Sequence, residues 1–309
     1  MRFFAGVPSI DFMAQRRTGL VASSVLTVVV LLLLVFRGLN FGIDFTGGVL
    51  VEAVYPQSVS LDEVRSKLHE GGYERAIVQY FGSSQDVLIR LPPAADGSSA
   101  KVSDHILATL GAEDNHIELR RIDFVGPQVG EELTSKGGLA LLIAFAGIMI
   151  YIALRFEWKF SVGAVAALIH DALMTLGVLS AAQVEFDLTT LAAILALIGY
   201  SNNETIVIYD RVRENLIGQR RMDILEVVNL SINQTLLRSI ITHLTTLLVL
   251  TALLTLGGPS VHSFAIALIV GVIVATYSSI YISTGLAIVL GISREDLLPP
   301  KEEEIDQLP

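Results

Sequence analysis

Ionisable side chains inside long apolar runs are where this chain has chemistry to offer. A charge among hydrocarbon costs at least ~2.5–3.5 kcal/mol and therefore normally has a partner and a task. Asp171 follows about eleven residues of one such run, about 16 Å down and near the bilayer middle. Glu204 stands six residues before Asp210, about 9 Å above the polar end of its own run. Arg238 falls in the first turn of the next run at a comparable depth, and His243 lies about a turn and a half deeper. If those two runs are antiparallel helices, Glu204 and Arg238 can approach each other. Two readings stay open on physics alone. One is a static ion pair or hydrogen-bonded staple between helices; the other is a buried carboxyl with a functional task. Burial favours its neutral form and a neighbouring arginine its ionised form, so water entry or a shift of Arg238 would toggle the charge.

Other chemistries find little support. His170-Asp171 pairs two metal-ligating types, yet a lone His-Asp in an apolar helix lacks further ligands, so no metal site is expected. The chain has no His-Glu-x-x-His, no Gly-x-Ser-x-Gly and no cysteine, which argues against an intramembrane hydrolase and against thiol chemistry. A net charge of −10 argues against a nucleic-acid footprint. Asp210, Arg211, Arg213 and Glu214 form a charge network at the membrane boundary. Gly42-Ile43-Asp44-Phe45-Thr46-Gly47-Gly48 reads as a structural turn: its glycines permit tight backbone and close packing, and Asp44 and Thr46 can bond local amides.

The elements that must hold these residues follow from composition. The chain has 309 residues, 52% of them hydrophobic and only 17% charged, so the excess apolar surface must face lipid. Runs of spanning length fall at about 18–36, 138–154, 161–182, 188–209, 235–256 and 263–291. The first reads as a retained signal anchor, since no small-residue cleavage site follows it. Arg2, Arg16 and Arg17 precede it, Arg155 and Lys159 lie between the second and third, and Arg211, Arg213, Arg220 and Arg221 lie in the loop at 210–234. The opposite short loops, Gln183 to Asp187 and Gly257 to His262, carry no Lys or Arg. The positive-inside rule then puts residues 1–17 and the acidic tail 292–309 in the cytoplasm and segment 37–137 outside, in the periplasm.

That outer segment reads as a small α+β domain. Val49–Tyr55 alternates as a strand; Ser60 with Glu63 forms a capping box before a helix that Gly71-Gly72 stops. Ala76–Phe81 and Asp86–Leu91 are two strands across a Gly-Ser turn, residues 92–100 a loop, Ser103–Leu110 a second helix, and His116–Val125 a last strand. The order β-α-β-β-α-β predicts a ferredoxin-like fold inserted in an α-helical polytopic membrane protein with six transmembrane helices.

Several segments, in this order and spacing, resemble the SecD/SecF family of bacterial protein-export membrane components, of the SecF type. They are the Gly42–Gly48 stretch, Val125-Gly126-Pro127 to Leu133, Leu168-Ile169-His170-Asp171, and Gly199-Tyr200-Ser201-Asn202-Asn203-Glu204-Thr205 through Asn215. Ser231-Ile232-Asn233-Gln234-Thr235-Leu236 with Arg238, and Thr276–Ile282, complete the match. The resemblance implies a non-enzymatic subunit of Sec export without cofactor, working in the inner membrane with SecD, the SecYEG channel, YajC, YidC and secreted polypeptides. It also implies coupling to the proton motive force through Glu204 and Arg238, with Asp171 as a secondary proton-path group. In the family the acid of the fourth span is usually aspartate; here Glu204 carries one more methylene. The alternative is a proton-coupled exporter of small molecules or lipids of the resistance-nodulation-division type, which shares the topology but usually has two such halves.

Overall fold

The computed structural model describes residues 9–92, 105, 106, 108–111 and 116–294. All but the first residue of the expected loop at 92–100, the start of the second domain helix and nearly all of the acidic tail fall outside those residues.

Among the described residues six helices are long and apolar enough to cross a membrane. They are α1 (Arg16–Phe36), α4 (Pro127–Arg155), α5 (Trp158–Ala182), α6 (Leu188–Gly218), α7 (Ile224–Leu256) and α8 (His262–Ser278). The last continues through a π turn, Ser279–Ser283, into α9 (Thr284–Val289). Burial divides them into two sets. In the apolar windows of α5, the α6 helix and the α8–α9 span, 61%, 50% and 44% of residues are buried, against 6%, 11% and 17% for α1, α4 and α7. The first set forms the interior, and the second presents Val21, Val25, Leu32, Leu142, Ile143, Leu244 and Leu248 outward.

Small residues allow the interior helices to close up. A Cβ added at Gly163 of α5 would lie 2.5 Å from the Ser283 carbonyl and 2.7 Å from the Tyr209 hydroxyl. One added at Gly271 of α8 would fall 2.4 Å from the Leu197 side chain on α6. Two further helices have sharp starts: Asp187 caps α6 by accepting from Thr190, and Asp223 with Glu226 makes a capping box on α7.

The outer domain carries α3 (Leu61–Glu70) and four strands, β2 (Gly48–Val54), β3 (Ile77–Phe81), β4 (Ser83–Leu91) and β5 (Glu118–Val125). Residues 105, 106 and 108–110 are helical, where the second domain helix was expected. The sheet order β3-β4-β2-β5, antiparallel throughout, is the ferredoxin-like arrangement. Val49, Val51 and Ala53 meet Val64, Leu68, Ile106 and Leu110 on one face of the sheet; Leu50 and Leu88 pack with Ile43 on the other. One local expectation fails: Ser60 precedes α3 but makes no side-chain cap. The Glu63 carboxylate is instead held by Lys67 at 2.9 Å, one turn along the same helix.

Candidate functional site

Glu204 and Asp171, both acids of the expected site, are buried in the bundle, at 8% and 1% exposure. Asp171 on α5 accepts a 2.6 Å hydrogen bond from the Ser201 hydroxyl of α6, and its other oxygen stands 3.4 Å from His170 Nδ1. Glu204, three residues on from Ser201, faces the opposite neighbour. Its carboxylate lies 3.8 Å from Nε2 of His243 on α7, whose Nδ1 is 2.7 Å from the Thr276 hydroxyl of α8. Tyr200, one turn along α6, lays its ring 5.5 Å from that imidazole and donates from its hydroxyl to Thr246. One turn toward the other end, the buried Tyr209 donates to the Ser283 carbonyl at 3.1 Å, in the π turn of the sixth span. The result is a row of polar groups along α6 that reaches α5, α7 and α8.

The expected approach of Glu204 to Arg238 does not occur. Arg238 is exposed on α7 and makes no ion pair among the described residues. Five positions separate it from His243, and five residues turn a helix by roughly 140°, so only one of the two can face α6. The position that does is the histidine. Depth estimated from chain distance put Arg238 level with Glu204. The α7 residue at that level is His243, about a turn and a half further along, so both the layer and the azimuth of the arginine differ from the expectation.

At the polar end of α6 the four boundary charges do not form one network. Asp210 pairs with Arg155 at 3.3 Å and Arg211 with Glu214 at 2.7 Å, with side-chain exposures from 39% to 68%. Arg213 pairs with none of the described residues. Exposed pairs of this kind contribute ~1 kcal/mol or less. The buried contact there is Asn215, which donates to Ser231 and Gln234 of α7 at 2.8 and 2.9 Å.

The glycine-rich stretch is the joint between the outer domain and the bundle. Ile43–Thr46 forms a single helical turn, α2. Gly47 then takes φ 69° and ψ 169°, a region essentially confined to glycine. Gly48, at φ 124°, would place a Cβ 2.2 Å from the Leu91 carbonyl. Asp44 accepts from the backbone N–H of Leu188 at 2.9 Å, in the first turn of α6. Beside it, β1 (Asn40–Phe41) pairs in parallel with β6 (Glu185–Phe186) in the α5–α6 loop. Arg90 of β4 closes the joint. Its guanidinium reaches Glu185 at 2.9 Å, the Asn40 side chain at 2.8 Å and the Phe41 carbonyl at 3.2 Å, with Arg90 and Glu185 5% and 14% exposed. Burial, which Arg90 only partly offsets, raises the Glu185 pKa above the ordinary carboxylate value, with help from Asp187. The turn expected at 42–48 is therefore also a clamp on α6. Glu185 and Arg90 carried no motif, and their pairing joins positions ninety-five residues apart.

Comparison with known proteins is specific. Residues 105–293 match the model of the protein export membrane protein SecD/SecF, C-terminal, and residues 32–55 match the SecD/SecF GG motif. The protein translocase subunit SecF of Haemophilus influenzae is 47% identical, covering 98% of this chain and 93% of its own length. That of Pseudomonas aeruginosa is also 47% identical, over 98% and 99%. The crystal structure of SecDF, a translocon-associated membrane protein from Thermus thermophilus, superposes with TM-score 0.85 at 35% identity, covering 93% of this chain and 39% of that one. The present chain thus corresponds to about two-fifths of the solved SecDF chain. Fold and comparisons together define a multi-pass export membrane protein with an inserted ferredoxin-like domain. Its family follows directly: the chain belongs to the SecD/SecF family of protein-export membrane proteins, among the SecF subunits, and serves Sec protein export beside SecD.

Proposed function

We propose that this subunit couples the proton motive force to translocation of secreted polypeptides, with Glu204 as the group that takes up and releases protons. The observation that carries this reading is a carboxyl buried at the meeting of three spans, 3.8 Å from the nearest basic nitrogen recorded for it and linked through that residue to a third helix. A permanent staple would be expected to have a direct charge-assisted hydrogen bond of about 2.7–2.9 Å. A shift of α7 that brought Arg238 toward Glu204 would favour the ionised form, and Asp171 with Ser201 forms the secondary group on the α5 side. The clamp at the α6 N-terminus supports a mechanical output, because any displacement of α6 is felt directly at Asp44, Glu185 and the outer domain.

The orientation in this reading places both termini in the cytoplasm and residues 37–137 in the periplasm of the inner membrane. Its support is the positive-inside pattern together with the clustering of Arg155, Lys159 and Arg294 at the end of the bundle opposite the domain joint, where Lys159 donates to the Gly291 carbonyl. The subunit acts without catalysis of its own or a cofactor, and with the SecYEG channel, YajC and YidC. Glu204→Gln keeps size and removes the exchangeable charge, so export driven by a proton gradient is expected to be lost while assembly with SecD persists. Undiminished proton-driven export in that variant would sink the proposal.

A further inference from the structure

His243 has one nitrogen committed and one aimed at the acid. Its Nδ1 is 2.7 Å from Thr276 Oγ1, and that same hydroxyl lies 3.0 Å from the Val272 carbonyl one turn back on α8. A threonine hydroxyl has one proton. If it goes to the Val272 carbonyl, Nδ1 must carry the proton of the Nδ1···Oγ1 bond, and the neutral ring presents a bare lone pair at Nε2. That Nε2 is buried without a hydrogen-bond partner and faces the Glu204 carboxylate at 3.8 Å, about 0.9 Å beyond an N–H···O bond. Two acceptors facing each other stand apart in this way; a proton between them would draw them together.

We infer that Glu204 and His243 hold a single proton between them, with Thr276 fixing the imidazole so that its Nε2 lone pair faces the carboxyl. The inference rests on the reading of Glu204 as the proton-handling acid and adds a second residue to it. Uptake adds one proton and one positive charge to the pair, either as O–H···N or as O⁻···H–N⁺, and release restores the two facing acceptors. The pair, and not the carboxyl alone, sets the affinity. The other groups facing it are the Tyr200 phenol of α6, whose proton is given to Thr246, and Thr276 of α8; Asp171 of α5 is turned to Ser201. Histidine suits the task because its proton exchange falls nearest physiological pH. Thr276 is a positioning residue in this scheme.

The test uses the full chain assembled with its SecD partner in lipid bilayers, labelled with ¹⁵N-histidine and titrated by solid-state NMR, while infrared spectroscopy follows the Glu204 carboxyl band assigned by Glu204→Gln. The expected spectrum shows His243 protonated at Nδ1 throughout, with Nε2 moving from free lone pair to hydrogen-bonded at the same pH as the carboxyl band. Glu204→Gln removes the Nε2 response and leaves Nδ1 protonated. His243→Phe, which keeps the ring volume, weakens proton binding at Glu204 at least tenfold. Thr276→Val mixes the two ring tautomers and Thr276→Ser restores one. A resting Nε2–H tautomer, or a Glu204 titration that ignores His243→Phe, would overturn the shared proton while leaving Glu204 as the acid. A Glu204 band that never titrates would overturn both.

Discussion

The joint between domain and bundle offers the sharpest energetic test. Arg90→Met removes the guanidinium and leaves the Glu185 carboxylate 14% exposed with Asp187 and Asp44 nearby. Removing one partner of a buried pair costs about 3–5 kcal/mol, because the survivor is left uncompensated. Replacing both at once, Arg90→Met with Glu185→Met, removes the charges together. What remains is the loss of the bonds to Asn40 and the Phe41 carbonyl, about 1–2 kcal/mol in all. The double variant should therefore be more stable than the single, an inversion that no sum of independent contacts can produce. In detergent micelles the single substitution should lower the thermal midpoint by roughly 10 °C, at the 2–4 °C per kcal/mol typical of larger chains. The pH dependence has a definite sign. The docked Glu185 pKa lies above its ordinary 4.5, so the docked state binds the proton more tightly than the undocked one. Its contribution to docking is complete below 4.5 and is lost as pH rises through the raised value. Protease cleavage near Gln183, measured from pH 4 to pH 8, reports that loss as increasing susceptibility (about four pH units bracket the window). Equal destabilisation by the single and the double variant would refute the argument.

Two further outcomes follow from the same geometry. Gly48→Ala must both enter a positive-φ conformation and clear a backbone carbonyl 2.2 Å away, so it is expected to lower the thermal midpoint more than Gly47→Ala, whose conformational strain alone is about 1–3 kcal/mol; the reverse order would contradict the placement of β2 against β4. Ser201→Ala leaves the buried Asp171 without its shortest hydrogen bond and should cost about 1.5–3 kcal/mol by the same assay, whereas Asp171→Asn, whose amide oxygen still accepts, should cost less and slow proton-driven export without abolishing it.

What the sequence determined by itself was everything written in local periodicity and hydropathy. Apolar runs gave the six helices, because a bilayer demands about twenty residues whatever their neighbours do. Alternation punctuated by Gly71, Gly82 and Gly111 gave the strand and helix order of the outer domain, since these glycines, or their immediate neighbours, take positive φ and stop each element. The identity of Glu204 and Asp171 as the buried acids was likewise legible, for a charge inside such a run has nowhere else to go. Which basic group faces Glu204 was not. His243 lies about a turn and a half deeper than Arg238. The axial register and rotation of α7 against α6, fixed by side-chain packing along the whole interface, bring the histidine to Glu204 and turn the arginine out. The Arg90–Glu185 clamp was equally hidden, because each half is an ordinary charged residue in its own segment and becomes a buried pair only once domain and bundle are docked. Position along a helix is a property of the chain; register against a neighbour, azimuth and long-range pairing belong to the assembled fold.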